Sequence, residues 1–458
     1  MIQKGKMNFW QIWNMNFGFF GIQFSFGLQQ SNMSAIYKFL GADEASLPML
    51  WLAGPVTGLL VQPIIGAISD GTWSPKFGRR KPFFLIGALI ASLALVLMPF
   101  STTIFMAASL LWILDAANNI AMEPYRAFVA DRLPKEQHSI GFLMQSFFTG
   151  LGITLANFTP AILVSLGILA ITDKFENGIP TYTYWAFFIG AFASVVTILI
   201  SVFTTKEIPP SSEELEELLE KKKTPVVQRT FTEIKEAFIN MPLTMKQLIP
   251  VKFFTWYAMF CYWQYITSTL SISLYNTTDQ ASEGFSKAQL LTGSLNGTYN
   301  IVCFVVAFAL VPLALKIGAK GVHFFALILG GIGVFSIPYL NDTTLLFHLY
   351  NPFGESIEIT TLFLYPVGLG IAWASMLAMP YQLLAGSIPK EKTGVYMGIF
   401  NMFIVIPMAI QVLSMQFFVY DWLGQNPVNV IRLAGIFLII GGVLTLLIKL
   451  KNKNELVT

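Results

Sequence analysis

Cysteine and histidine are scarce, with 2 and 3 respectively among 458 residues. Cys261 and Cys303 both fall in apolar runs, where they read as small packing residues and not as a disulfide or a metal site. His138, His323 and His348 are scattered near predicted loops and form no cluster. No paired carboxylates and no Gly-rich phosphate loop stand in register with them, so no catalytic set, metal or cofactor is expected and an enzyme embedded in the membrane is disfavoured. Charge is scarce as well: Asp, Glu, Lys and Arg make up 12% of the chain, where a soluble domain carries about 25%. A net charge of +3 is too small to indicate a nucleic-acid partner. What fills the chain instead is apolar, with 55% hydrophobic residues and a mean hydropathy of +0.63. Runs long enough to cross a bilayer recur along the whole length, so the class is an all-α, multi-pass membrane protein.

Twelve spans are predicted, at 12–39, 47–69, 82–100, 103–130, 140–171, 184–204, 248–275, 288–315, 322–340, 360–388, 394–418 and 430–450. The intervening loops are short except near the centre of the chain, where EELEELLEKKK marks a charged segment without a spanning run. The expected organisation is therefore two six-helix bundles, 1–204 and 248–458, joined by a solvated helical linker at 205–247. Basic residues sort to one side: Lys76, Arg79, Arg80, Lys81, Arg132, Lys135, Lys316, Lys320, Lys390 and Lys392, together with those of the linker and both ends. The opposite loops carry acids such as Asp43, Glu44, Asp173, Glu176, Asp279 and Glu283. By the positive-inside rule both termini and the linker are cytoplasmic, in agreement with an even number of spans. Met1 to Asn8 is polar and the apolar segment after it is too long for a cleavable signal peptide. The expected location is the cell (cytoplasmic or inner) membrane.

The stretch from Leu110 to Asp131, LLWILDAANNIAMEPYRAFVAD, carries the most chemistry. At about 1.5 Å per residue Asp115 lies ~18 Å in from Thr103, near the middle of a hydrocarbon core ~30 Å thick. An ionisable group there costs at least ~2.5 kcal/mol, so it faces a polar cavity or pairs with another group. On a helical wheel Asn119 and Arg126 return to its face. A buried structural salt bridge is one reading. A proton or substrate site is the other, and the absence of Lys or Arg within two turns of Asp115 along the helix favours it.

Amides and aromatic rings are the remaining polar groups inside the spans. Gln23 and Gln30 stand in the first, with Asn16 before them, and Gln145 in the fifth. The seventh carries Trp256, Tyr257, Tyr262, Trp263, Gln264 and Tyr265; Asn296, Tyr299, Asn300, Tyr381, Gln382, Asn401 and Gln411 follow in later spans. Amides suit sugar hydroxyls and rings suit the apolar faces of a sugar, so a neutral polyol fits. The plainer readings stay open: aromatics near span ends form interfacial belts, and amides bond helix to helix for under ~1 kcal/mol each.

The loop GAISDGTWSPKFGRRKP, with Gly66, Asp70, Gly78, Arg79 and Arg80, resembles the signature loop of the major facilitator superfamily, though the interval between Asp70 and Gly78 is longer than usual. The longer run WLAGPVTGLLVQPIIGAISDGTWSPKFGRRKP (Trp51–Pro82) resembles the plant sucrose transporters and their animal and bacterial relatives, the glycoside–cation symporter branch of that superfamily. GIQFSFGLQ (Gly21–Gln29), ILDAANN (Ile113–Asn119), RAFVAD (Arg126–Asp131), GLGIAWASMLAMPYQLLA (Gly368–Ala385) and GVYMGIFNMFIVIP (Gly394–Pro407) agree with it in order. The resemblance implies the major facilitator fold and sugar uptake coupled to a cation, usually a proton, with the acid of the fourth helix, Asp115, as the coupling site. It favours sucrose or maltose-type α-glucosides. One departure stands out: the fifth span holds no Arg or Lys, where plant members carry an arginine linked to substrate binding.

The expectation is thus a proton-coupled symporter working by rocking of two bundles about a midplane site. Asp115 would carry the proton, and Gln23, Asn119, Gln145, Tyr262, Trp263, Gln264 and Tyr265 would bind the sugar. Asp70, Arg79, Arg80, Arg126 and Asp131 would set the conformational equilibrium from the cytoplasmic side. Sodium coupling, uncoupled transport and a sugar sensor on a transporter fold are the alternatives. The expected partners are the sugar, the coupling ion and the bilayer, with the protein a monomer.

Overall fold

Asn8 opens the first long helix with a capping box. Its side chain accepts from the Gln11 amide, and the Gln11 side chain reaches back to the Asn8 N–H, both at 2.9 Å. Two of the orphan donors of the helix end are satisfied in this way. In this computed structural model the described residues are 5–75, 77–209, 236, 238–340, 344–349, 357–385 and 393–449. Most of the predicted linker, 210–235, and Lys76, Lys390 and Lys392 lie outside them, as does the Asp70 side chain.

The long helices are α1 (Phe9–Phe39), α2 (Ala53–Asp70), α3 (Lys81–Leu97), α4 (Ile104–Arg132), α5 (His138–Ser165), α6 (Thr181–Thr204), α7 (Leu243–Tyr275), α8 (Glu283–Ser336), α9 (Leu364–Ala385), α10 (Thr393–Ser414) and α11 (Pro427–Thr445). The spans predicted at 288–315 and 322–340 run together as α8, whose backbone breaks at Gly318 with φ of 79°. The two arms on either side are each long and apolar enough to span, Glu283–Leu310 and Pro312–Tyr339. Ten helical segments meet that requirement by length and composition among the described residues. The predicted first and seventh spans, α1 and α7, are not among them, although both exceed thirty residues. The reason is burial. In α7 every residue from Thr255 to Ser271 is buried, so amides, hydroxyls and phenols can stand where a lipid-facing helix needs aliphatics. The fifth span ends at Ser165, earlier than the predicted 171. One departure from an all-α chain is a small antiparallel pair, β1 (Leu345–Leu349) with β2 (Ile357–Thr360).

The chain divides into two compact units. The first takes Met1–Gly41, Ala53–Val164 and Leu169–Thr232, and the second Ala42–Leu52, Ser165–Ile168 and Glu233–Thr458. In the first, α1 packs on α6, α3 on α4 and α6, and α2 on α4. Its core joins Met15, Phe19 and Ile22 of α1 to Phe84, Tyr125, Phe128, Phe148 and Ile198. Helices approach closely where side chains vanish: a Cβ on Gly152 of α5 would sit 2.5 Å from the Phe20 carbonyl oxygen of α1, the small-residue contact that lets membrane helices pack. In the second unit α7 packs on α8, α10 and α11, and α8 packs on α9 and α11. Outward-facing Phe105, Phe192, Phe203 and Leu315 are among the most exposed residues. Such apolar exposure belongs against lipid.

Candidate functional site

Helix α4 starts at Thr103, whose hydroxyl accepts from the Met106 amide at 3.2 Å, and continues through Pro124 to Arg132. That run carries Asp115 into the first unit, where it is 1% exposed. The Gln29 Nε2 of α1 donates to Asp115 Oδ1 at 2.6 Å. Among the described residues Asp115 Oδ2 is buried without a hydrogen-bond partner, and so is the Gln29 Oε1. A Cβ on Gly54 of α2 would stand 3.7 Å from Oδ2, so the unpaired oxygen faces α2 where no side chain exists. A buried acceptor left unpaired costs about 1–3 kcal/mol, more if charged. An added proton, or a donor from a bound molecule, would satisfy it.

One turn further along α4, the Asn119 side chain donates to Thr57 Oγ1 at 3.1 Å and accepts from Gln62 Nε2 at 2.7 Å. Asn118 donates to Ser25 Oγ at 3.0 Å. Asp115, Asn118 and Asn119 thus tie α4 to α1 and α2 by polar contacts. Gln23 and Gln145 belong to the same unit and are buried, but hold weaker partners. Gln23 Nε2 is 3.7 Å from the Met122 sulfur, and Gln145 Nε2 is 3.4 Å from the Tyr125 carbonyl. Both amides retain capacity for a hydroxyl.

The signature loop folds back on the start of α3. Gly78 takes φ of 81°, a conformation that suits glycine. The residues after it present the amides of Arg79, Arg80 and Lys81 to the Glu207 carboxylate, at 2.7, 3.0 and 2.9 Å. A carboxylate so placed matches the positive end of the α3 dipole. Arg80 Nε donates to Asp131 Oδ2 at 2.7 Å and its Nη1 to Ser69 Oγ at 2.6 Å, which links the ends of α2, α3 and α4. Arg126 does not enter that set. It is half-exposed and stands 3.9 Å from Glu123, and it makes no described contact with Asp115 although the wheel puts both on one face.

In the second unit, the four consecutive side chains read as one sugar-facing group go to different neighbours. The Tyr262 hydroxyl donates to Asn296 Oδ1 at 2.9 Å and lies 3.2 Å from that of Tyr365. Gln264 and Gln411 exchange two amide hydrogen bonds at 3.2 and 3.0 Å. Tyr265 stacks on Tyr420, and its hydroxyl donates to the Glu44 carbonyl at 3.3 Å. All three are fully buried, while Trp263 keeps 7% exposure. Trp263 donates to the Tyr299 hydroxyl at 3.2 Å and meets Trp373 edge to face. At about 100° per residue, four successive residues point around the whole helix, so they do not share one face.

Several participants escape the sequence reading. Gln29 is adjacent to Gln30, and the wheel alone does not separate two neighbouring amides. Gln62 and Thr57 stand inside the Trp51–Pro82 run but look like ordinary span residues. Glu207 falls in a segment read as solvated linker. His323, read as lying near a loop, is in fact buried at 1%, with Nδ1 2.7 Å from Ser375 Oγ. Lys252 is buried among aromatic rings and carries no motif that marks it.

Known proteins are similar along nearly the whole chain. Sucrose transport protein SUC4 of Arabidopsis thaliana is 27% identical over 424 residues, covering 85% of this chain and 80% of that protein. Sucrose transport protein SUT1 of Oryza sativa subsp. japonica is 25% identical over 467 residues, covering 92% and 84%. Among solved structures, the nucleoside transporter NupG superposes with a TM-score of 0.63 at 15% identity, covering 96% of this chain and 97% of that one. A D-xylose–proton symporter gives 0.62 at 13%, covering 97% and 98%. At these identities the structures bear on the fold alone. The family description "Major Facilitator Superfamily" matches residues 15–412. With helices, signature loop and family match in agreement, this multi-pass membrane protein belongs to the Major Facilitator Superfamily, whose members are transporters and not enzymes.

Proposed function

We propose that the chain is a proton-coupled symporter that imports a disaccharide or small α-glucoside of the sucrose or maltose type by alternating access. The observation that carries the coupling is the buried Asp115 carboxyl, held by Gln29 through one oxygen and unpaired at the other. The similarity to plant sucrose transport proteins supports a sugar as cargo. A proton arriving at Oδ2 forms an O–H bond there, and that O–H can donate to a sugar hydroxyl, which links protonation to cargo binding. Gln23, Asn119 and Gln145 are the amides assigned to the sugar in the first unit, and Trp263 is the ring assigned to it in the second. Arg79, Arg80 and Asp131 belong to the conformational balance, with Asp70 and Arg126 alongside. The proposed setting is the cell membrane, with bundles at 1–204 and 248–458, the linker at 205–247 and both termini in the cytoplasm, a placement that the basic loops support.

Uptake of labelled sucrose and maltose into proteoliposomes tests the reading. An inwardly directed pH gradient, with the membrane potential clamped, is expected to drive accumulation above equilibrium. Accumulation under a sodium gradient alone would replace the proton with sodium. Equilibration without accumulation under either gradient would make the protein an uncoupled transporter.

A further inference from the structure

The second unit contains a buried cation that the scheme above does not use. Lys252 lies about 14 Å into α7 at about 1.5 Å per residue. It is 1% exposed, and its Nζ has no hydrogen-bond partner among the described residues. The Nζ stands 3.9 Å from the centre of the Phe400 ring and 4.8 Å from that of Tyr381. His323 is near enough to interact with it electrostatically, and that ring is oriented by its contact to Ser375. Side chains from α7, the second arm of α8, α9 and α10 therefore meet at one ammonium.

Among the described residues of the helices around it, no carboxylate accompanies it. Helices α7, α9, α10 and α11 contain no Asp or Glu, and the only acid of α8 is Glu283, its first residue. The titratable groups facing Lys252 are His323 from α8 and Tyr381 from α9, whose hydroxyl donates to Asn401 Oδ1 at 3.1 Å. The only titratable residue of α10, Tyr396, bonds to the Asn240 carbonyl. That of α11, Arg432, lies over the Tyr339 ring.

A buried ammonium without a counter-ion is costly. Either an anion beside it or loss of its proton removes that cost. Ring faces are electron-rich, so they favour the ammonium and oppose an anion, and imidazole is a base. We propose that Lys252, with His323 beside it, is a second proton-binding site, located in the second unit and distinct from Asp115. The pair holds one proton beyond neutrality, because two like charges side by side in a low-dielectric interior oppose each other. On release an Nζ–H bond breaks with the electron pair left on nitrogen, and the proton passes to water. The ring faces hold the charged form and have little hold on the neutral amine, so the same step loosens α7 from α9 and α10.

Intrinsic tryptophan fluorescence of the full chain in detergent, titrated from about pH 5 to about pH 9, is a suitable readout. Trp256 is one turn from Lys252, with its ring centre 5.5 Å from that of Trp373. In Asp115→Asn protein a single-proton transition is expected. It is expected to vanish when Lys252→Met is added, and also with Lys252→Arg, which keeps the cation and guards against loss of fold. A transition unchanged in both double variants, or absent from Asp115→Asn, would overturn the proposal. A spectral change that follows replacement of chloride by gluconate at constant pH, and not the pH itself, would overturn it in favour of an anion site. The titration needs neither sugar nor gradient, so its outcome is separable from that of proton coupling at Asp115.

Discussion

Asparagine at position 115 would keep the volume of the carboxyl and replace the unpaired oxygen by a group that never ionises, an imitation of the protonated acid. The Asp115→Asn protein is expected to bind sugar and to exchange it across the membrane, yet to lose accumulation driven by a pH gradient. Uptake against a gradient that external acid still stimulates would move the coupled proton elsewhere, with Glu123 the next residue to change. The aromatic residues of α7 separate in the same way. Trp263→Ala is expected to weaken sugar affinity severalfold with little change in melting temperature. Tyr265→Ala is expected to cost about 3–5 kcal/mol of stability, as for other large aromatics removed from a core, with affinity in the surviving folded protein unchanged. Thermal melts and binding isotherms on both variants check this, and the reverse pattern would exchange their roles. At this scale Asp115 was legible because a lone acid in an apolar run has few explanations. Gln29 was not, since which of two adjacent amides turns inward depends on packing against α4 that no single helix encodes.

Elements meet at the start of α3, where three backbone amides that no helical carbonyl can satisfy are capped by a side chain that follows α6. Glu207→Ala removes that acceptor and is expected to destabilise the first unit by about 1–2 kcal/mol, seen as a lower melting temperature. Glu207→Gln, which keeps one acceptor oxygen, is expected to recover part of the loss. Arg80→Gln breaks the bonds to Asp131 and Ser69 and is expected to lower the transport rate while leaving sugar affinity within severalfold. Loss of binding in folded, correctly inserted protein would instead make Arg80 part of the sugar site. Most helices were legible from hydropathy, with ends displaced by several residues in places. The β1–β2 pair was missed because LLFHL and IEIT are too short to stand out within the loop expected between the spans at 322–340 and 360–388. The two arms of α8 were legible as separate spans, because Lys316, Gly318 and Lys320 make a polar interruption where the backbone turns at Gly318.

Across the whole molecule, the arrangement of spans and the charge of the loops were legible because they are sums over many residues, so single errors cancel. The polar interior was less so, because partners from separate helices decide which amide is structural and which is open. The enclosure of α7 bears on how the chain enters the bilayer during synthesis. A segment that carries Lys252, Gln264 and a hydroxyl-rich end partitions poorly from the translocon into lipid by itself. In the finished protein α8, α10 and α11 pack around it, and all of them emerge from the ribosome later. Chains ending at Tyr275 are therefore expected to leave α7 only partly inserted, with a reporter fused after it split between the two sides of the membrane. Chains extended to Leu310 are expected to recover part of the insertion, and chains carrying α11 the remainder. Complete insertion of the shortest chain would mean that α7 needs no help. Otherwise α7 waits at the membrane for its neighbours, and biogenesis of the second unit proceeds as a joint event and not helix by helix.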